Sequence, residues 1–226
     1  MGKEFDGKQL WQEVLEEVVP RETLELSSYF NYQIRYNIRH LLFSFARYKF
    51  AARLLGDEPK RTVLELGCNE GIGTLHLAQV AAETVGVDFD EAAIIWAGGN
   101  LANPHLKFIY DDFMGKKYGE FDAVVSLDVI EHIETENEQR FLETVVHNLN
   151  DEGFALIGTP NITSAAYASE ASRIGHINLY DQQRLKNLFL TRFKNVFLFG
   201  MNDEVVHTGF LPMCHYLFVL ACHKRY

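Results

Sequence analysis

Residues 62 to 78 read as a buried strand that breaks into a glycine-rich turn and re-forms as a helix. Thr62-Val63-Leu64-Glu65-Leu66 is aliphatic or β-branched, and Gly67, Gly71 and Gly73 follow it. Apolar residues then return at helical spacing, at Ile72, Leu75, Leu77 and Ala78. Glycines let the backbone turn sharply and approach a ligand without a Cβ in the way. Free N–H groups at the start of the helix should face whatever occupies the turn. Phosphate ligands fit poorly. A dinucleotide fingerprint needs G-x-G-x-x-G, but counting from Gly67 the second and third glycine positions hold Asn69 and Ile72. A phosphate-binding loop of the Gly-Lys-Ser/Thr type needs a lysine, and none lies between Arg61 and Lys107. Glu65 and Glu70 add negative charge beside the turn, which would repel a pyrophosphate and suit a cationic nucleoside.

The next acidic and aromatic residues fall where such a nucleoside needs them. A second strand, Thr84 to Val87, ends in Asp88, 21 residues after Gly67, a spacing at which a carboxylate can accept both ribose hydroxyls. A third strand, Leu106 to Tyr110, runs into Asp111-Asp112-Phe113, offering a carboxylate for an exocyclic amine and an aromatic wall for a purine. A fourth, Phe121 to Ser126, runs into Leu127-Asp128-Val129-Ile130-Glu131-His132, a polar cluster at the strand end where open α/β sheets bind ligands. The ammonium and sulfonium of S-adenosylmethionine (SAM) match these charges, and its single carboxylate suits a helix N-terminus.

In this order the segments ELGCNEGIG (65 to 73), VGVDFD (85 to 90), FIYDDF (108 to 113), FDAVVSLDVIEHI (121 to 133) and LNDEGFALIGTPN (149 to 161) resemble the class I SAM-dependent methyltransferases. The Glu-His pair and the Thr-Pro-Asn ending are most similar to the small-molecule branch that includes quinone-biosynthesis and sugar-modifying enzymes. The resemblance runs from about residue 45 to residue 222. It implies an α/β, Rossmann-like sheet of seven strands with strand seven antiparallel, under an N-terminal helical cap. The cap is expected over residues 1–56 and the SAM-binding core over 57–226. It implies a cofactor site made of Glu65, Gly67, Asn69, Gly71, Asp88, Phe89, Asp112, Phe113 and Asp128. Tyr48 joins them through Arg47-Tyr48-Lys49-Phe50-Ala51, similar to an RYxFA element near the methionine end of SAM in some relatives; the other reading is a solvated arginine on a helix. Asn69 departs from the family's usual glycine, but asparagine tolerates a left-handed backbone.

Elsewhere the chain is less specific. Helical patterning covers Gln9 to Val19 and Gln33 to Leu55, with an aromatic cluster of Tyr29, Phe30, Tyr32 and Tyr36 between and into them. That cluster reads first as core packing and second as a lid over the pocket. Helices are expected near Glu136 to Asn148 and over Gln182 to Thr191, the latter capped by Asp181. Strands are expected at Phe154 to Gly158, Asn195 to Phe199 and Cys214 to Cys222. Residues 161–174 form either a substrate loop or a short helix, with Asn161 a substrate-side candidate. The loop 200–212, at the sheet edge that holds SAM, brings Asp203, Glu204 and His207, either as groups for a hydroxylated substrate or as a polar turn. His132, His176 and His207 are the candidate general bases. Each has a structural alternative: the Glu-His pair could pack its helix on the sheet, and His176 could pin a loop.

With 21 basic and 31 acidic residues the net charge is −10, which disfavours nucleic acid and favours a small substrate. Cys68, Cys214 and Cys222 lack paired or metal-type spacing, and Met1 to Glu4 starts no signal peptide, so a cytoplasmic location is expected. No run of apolar residues is long enough to span a membrane. A metal held by Asp128, Asp203, Glu204 and His207 is not expected, since these residues lack a recurring ligand spacing. The resulting expectation is a metal-independent transfer of a methyl group from SAM to a hydroxyl, less readily an amine, of a small metabolite, with sugars or glycoconjugates one class. Other SAM chemistry on the same fold, a SAM-binding regulatory subunit without catalysis, and more distantly an oxidoreductase stand as alternatives. The aromatic N-terminal segment could equally make a homodimer contact.

Overall fold

The computed structural model describes residues 6–19, 23–56 and 60–225. Met1 to Glu4, and residues 57–59 at the start of the expected core, lie outside the described residues. In chain order the elements are α1 (Gly7–Glu17), α2 (Ser28–Tyr36), α3 (Ile38–Leu55), β1 (Thr62–Leu66), α4 (Ile72–Ala78), β2 (Glu83–Asp88), α5 (Glu91–Asn100), β3 (Leu106–Tyr110), β4 (Phe121–Leu127), α6 (Glu138–His147), β5 (Leu149–Pro160), α7 (Glu170–Gly175), α8 (Gln182–Leu190), β6 (Phe193–Asn202), β7 (Val205–His207) and β8 (Tyr216–Lys224). Short 3₁₀ turns precede α6, follow β5 and precede β8.

The strands form one sheet in the order β3-β2-β1-β4-β5-β8-β6-β7. The five from β3 to β5 are parallel, and β8 runs antiparallel between β5 and β6. β1 and β4 are almost wholly buried, as expected of central parallel strands covered on both faces. One face packs against α6 and α8 through Phe141, Leu142, Val145, Leu185 and Phe189. The other packs against α3 and α4 through Ala51, Ala52, Leu55 and Leu77. Strand order reverses at the β1/β4 pair, so a crevice opens at the carboxyl ends of these strands.

Three expectations need correction. The sheet has eight strands among the described residues, not seven. The extra one arises because β6 continues to Asn202 and the chain folds straight back as β7, with Asn202 opposite Val205 and Asp203 at the bend with φ 49°. The antiparallel strand expected seventh is therefore β8. The expected single helix from Gln33 to Leu55 is two, broken at Asn37 (φ −147°), and α2 starts at Ser28. Finally, the aromatic cluster is not core: Tyr29, Tyr32 and Tyr36 are at least half exposed, and Phe30, partly buried, meets Phe45 edge-on. α1 buries no side chain and exposes Leu10, Trp11 and Val14. No described helix is long and apolar enough to cross a membrane.

Candidate active site

At the end of β1 the chain turns through Gly67 (φ 78°), Asn69 (φ 48°) and Gly71 (φ 73°), all left-handed. Asn69 adopts the conformation that asparagine tolerates and uses its side chain locally, accepting from Glu70 N at 2.6 Å. A Cβ on Gly67 would lie 2.3 Å from Val129 Cγ2, and one on Gly71 2.3 Å from the Phe108 ring. The turn is thus held by close packing from the β3 and β4 sides. Asp88, at the end of β2, faces it: its carboxylate accepts from Asn69 N at 2.7 Å and from Asp90 N at 2.9 Å. Each oxygen retains a second lone pair for a ligand hydroxyl. A cavity of about 600 Å³ opens beside the turn, bordered by Ser28, Tyr29, Asn69, Glu70, Asp90 and Trp96, within the usual range for small-molecule sites.

The two acids of the turn are not the pair of free charges the sequence suggested. Glu70 accepts from Tyr29 N at 3.1 Å and Phe30 N at 3.0 Å, so its charge caps the N-terminus of α2. Glu65 is completely buried and accepts from the Tyr48 hydroxyl at 2.6 Å. Burial raises its carboxyl to about 7, against the lowering effect of the buried Thr74 hydroxyl close to it and then of the Tyr48 hydroxyl. Its second oxygen, Oε2, has no partner. A buried acceptor without a donor is costly, and a cationic ligand group beside it would supply one. Tyr48 itself lies across Gly73, where a Cβ would come within 2.0 Å of its ring.

Three further residues expected on the cofactor side differ in kind. Phe89 is 74% exposed, an open aromatic face beside Asp88. Asp112 is exposed, with Oδ1 accepting from Met114 N at 3.1 Å. Phe113, in contrast, is 6% exposed and packs edge-on against Phe141 in the core, so its ring is not the expected purine wall.

The cluster after β4 is the most polar part of the crevice. Asp128 sits at φ 59°, its amide donating to Gly158 O at 3.0 Å, and it is ion-paired with Arg47. Arg47 is buried, not solvated as the alternative reading had it, with its guanidinium 4.0 Å over the Tyr216 ring. Glu131 is completely buried; Oε2 accepts from Thr159 Oγ1 at 3.0 Å, and Oε1 has no partner. Burial first, and then the charge of Asp128, push its carboxyl well above the usual carboxylate range. His132 places Nδ1 2.8 Å from Gly175 O and meets the His176 ring edge-on, centroids 5.0 Å apart. His40 and Arg47, seven residues apart and so on one face of α3, lie near the same cluster; burial and then Arg47 lower the His40 pKa. Gln33 on α2 is buried with Oε1 unpartnered. Gln33, His40 and Tyr216 escaped the sequence reading, which named Thr159 only within the Thr-Pro-Asn ending; the seven-residue spacing of His40 and Arg47 is the one local signal that could have found His40.

Four candidates are excluded by their surroundings. His207 accepts from Gly209 N at 3.0 Å through Nδ1, and Nε2 faces Cys214 Sγ at 3.6 Å, so no ring lone pair is left for a base. Asp203 and Glu204 are the exposed bend of the β6–β7 hairpin. Three strand spacings separate β4 from β6, roughly 14 Å, which keeps this hairpin away from the β4 cluster. Asn161 is buried, its amide donating to Leu211 O at 3.1 Å and Cys214 O at 2.8 Å, and it anchors the end of β5 instead of facing a substrate.

The sequence profile of a methyltransferase domain matches residues 33–192. A ubiquinone biosynthesis O-methyltransferase of Rickettsia typhi is 32% identical over 116 residues, 49% of this chain and 46% of the relative. A probable S-adenosylmethionine-dependent methyltransferase of Mycobacterium tuberculosis is 32% identical over 101 residues, 45% of this chain and 36% of the relative. The chain spans about half the length, or less, of these curated relatives. Among solved structures, the complex between the Haloferax volcanii Trm112 methyltransferase activator and a putative methyltransferase aligns with TM-score 0.67 at 12% identity, over 89% of this chain and 100% of that one. The DhpI–SAH complex aligns with TM-score 0.62 at 15% identity, over 87% and 92%. Both show a shared fold. With the profile covering most of its length, the chain belongs to the methyltransferase domain family, as a class I methyltransferase whose cofactor is SAM.

Proposed function

We propose that this protein transfers a methyl group from SAM to a hydroxyl oxygen of a small metabolite. The observation that carries this reading is the polar cluster Asp128, Glu131, His132 and His176 at the carboxyl end of β4, on the same sheet edge as the glycine turn and Asp88. The named O-methyltransferases of ubiquinone biosynthesis among its relatives support oxygen as the acceptor atom.

In this reading Asp88 receives the ribose hydroxyls, Phe89 and Asp112 border the adenine, and Gly67, Asn69 and Gly71 shape the turn around the cofactor. Glu65, oriented by Tyr48, takes the amino group through its unpartnered Oε2. Bound SAM supplies an electrophilic methyl on a sulfonium. The protein's part is mainly alignment: positioning contributes on the order of 7–11 kcal/mol in well-oriented reactions, a general base roughly 3–5 kcal/mol. Arg47 fixes Asp128 beside the acceptor, while α2, tied to the turn by Glu70, covers the crevice and keeps water out. His132 and His176 face the acceptor, where its proton must leave.

Calorimetric titration with SAM, S-adenosylhomocysteine and NAD, followed by transfer of labelled methyl to a panel of phenols, sugars and amines, tests the reading. SAM binding with label on hydroxylated acceptors is expected. NAD binding in preference to SAM, or label on amines alone, would reject it.

A further inference from the structure

We propose that α1 of one chain docks against α3 and α4 of a second copy, and that the exchange is reciprocal in a two-fold homodimer. This surface lies outside the reaction proposed above and does not depend on it. Leu10, Trp11, Val14, Leu15 and Val18 recur at helical spacing along one face of α1 and its C-cap, and all are exposed. Trp11 is 61% exposed, although such a side chain ordinarily anchors a core or an interface. α1 is capped by Asp6, which accepts from Lys8 N at 3.0 Å, but it buries none of its side chains. A helix this short is marginal in water by itself, so it needs a surface to pack on.

The same chain carries a surface of the matching kind. Ile38, Leu42 and Phe45, at i, i+4 and i+7, are exposed along one face of α3. Beside Phe45 a groove of about 430 Å³ opens between α3 and α4, bordered by Lys49, Ile72 and Leu75. An amphipathic helix that lays its apolar face into an apolar groove is a recurrent mode of recognition. Within its own chain α1 does not fill this groove, since it buries nothing.

Charge complementarity points to a second copy as the occupant. The chain has a net charge of −10, yet residues 28–55 hold Arg35, Arg39, Arg47, Lys49 and Arg53 and no Asp or Glu. Arg35, Arg39 and Lys49 are exposed and form no ion pair among the described residues. α1 has the opposite sign, with Glu13, Glu16 and Glu17 against Lys8 alone. An acidic apolar helix and a basic apolar groove therefore sit on one sequence, and each copy offers both. Self-complementary patches of this kind close a two-fold dimer in which every contact is made twice. An anionic membrane or a nucleic acid would meet the same basic face but be repelled by α1 and by the net charge. Because α1 leads through residues 18–27 into α2, the exchange also braces the helix that covers the crevice.

Sedimentation equilibrium of the purified full chain, from low to high micromolar concentration, tests the proposal, with circular dichroism reporting the fold of each variant. The wild-type chain should reach the mass of two chains. Trp11→Glu and Leu42→Glu should each weaken self-association by about tenfold or more, as at other buried interface anchors. A charge exchange gives the sharper result. Glu13→Lys with Glu16→Lys and Glu17→Lys sets a basic helix against a basic groove, and Arg39→Glu with Lys49→Glu sets an acidic helix against an acidic groove, so each variant alone should be monomeric. Mixed in equal amounts, the two should form a dimer, because every helix then meets a groove of opposite charge; a variant that fails to fold cannot imitate this rescue. A wild-type chain that stays monomeric at high micromolar concentration would overturn the proposal, as would charge variants that remain monomeric when mixed. A dimer weakened by Leu42→Glu but not by Trp11→Glu would place the contact on α3 without α1 and reject the exchange.

Discussion

If Glu65 receives the cofactor's amino group as proposed, SAM affinity depends on pH in a calculable way. Its carboxyl lies at about 7 in the folded protein against an ordinary value of 4.5, because burial disfavours the charged form. An ammonium beside its unpartnered oxygen would favour ionisation and return the group towards 4.5. Binding below pH 7 must then release a proton: about 0.9 per SAM at pH 6, with affinity rising roughly eightfold from pH 6 to 7.5 and levelling above that. The ligand's own amino group stays mostly protonated over this interval. Folding carries the opposite sign. The raised carboxyl favours the folded state below about pH 4.5, and the advantage is lost as pH rises through about 7, up to roughly 3 kcal/mol. Glu65→Gln, neutral at every pH, should remove both dependences and gain stability relative to wild type above pH 7. Calorimetry at pH 6 in buffers of different ionisation enthalpy counts the released proton directly. Flat affinity with no proton release, or an unchanged slope in Glu65→Gln, would show that Glu65 does not receive the cofactor's charge.

Other outcomes follow from single contacts. Asp88→Ala removes the acceptor of Asn69 N and Asp90 N as well as the proposed ribose contact, so SAM binding by calorimetry should weaken about a hundredfold or more, roughly 3 kcal/mol. Glu70→Ala strips the acceptor from Tyr29 N and leaves Phe30 N only its N-cap bond to Ser27 Oγ at 3.3 Å; hydrogen exchange at Tyr29 should accelerate most, with about 1–2 kcal/mol lost from local opening. Gly71→Ala combines a left-handed backbone with a Cβ 2.3 Å from Phe108, and denaturant unfolding should show a loss of about 2–4 kcal/mol. His207→Ala should leave the pH profile of methyl transfer unshifted, since both ring nitrogens are engaged within the hairpin loop; a displaced profile would restore His207 as a base.

The strand–turn–helix of residues 62 to 78 and the acid closing β2 were legible because they are local. Strand period, glycine placement and a 21-residue spacing are properties of adjacent residues, and they fix the parallel core whatever packs around it. Asp181 as a helix cap was legible for the same reason: its bond to Arg184 N at 2.8 Å spans three residues. Other features were decided only by the fold. Glu70 finds its donors 40 and 41 residues away, on α2, so a charge that reads as free in the sequence is used to hold a helix. Arg47 meets Asp128 across 81 residues, and Phe113 turns inward because α6 brings Phe141 to it. Glu131, His132 and His176 become one cluster because the loop after β5 returns over the end of β4. Residue type and spacing thus set which groups are present, while burial and pairing set their charge, and these depend on which distant segments the sheet brings together.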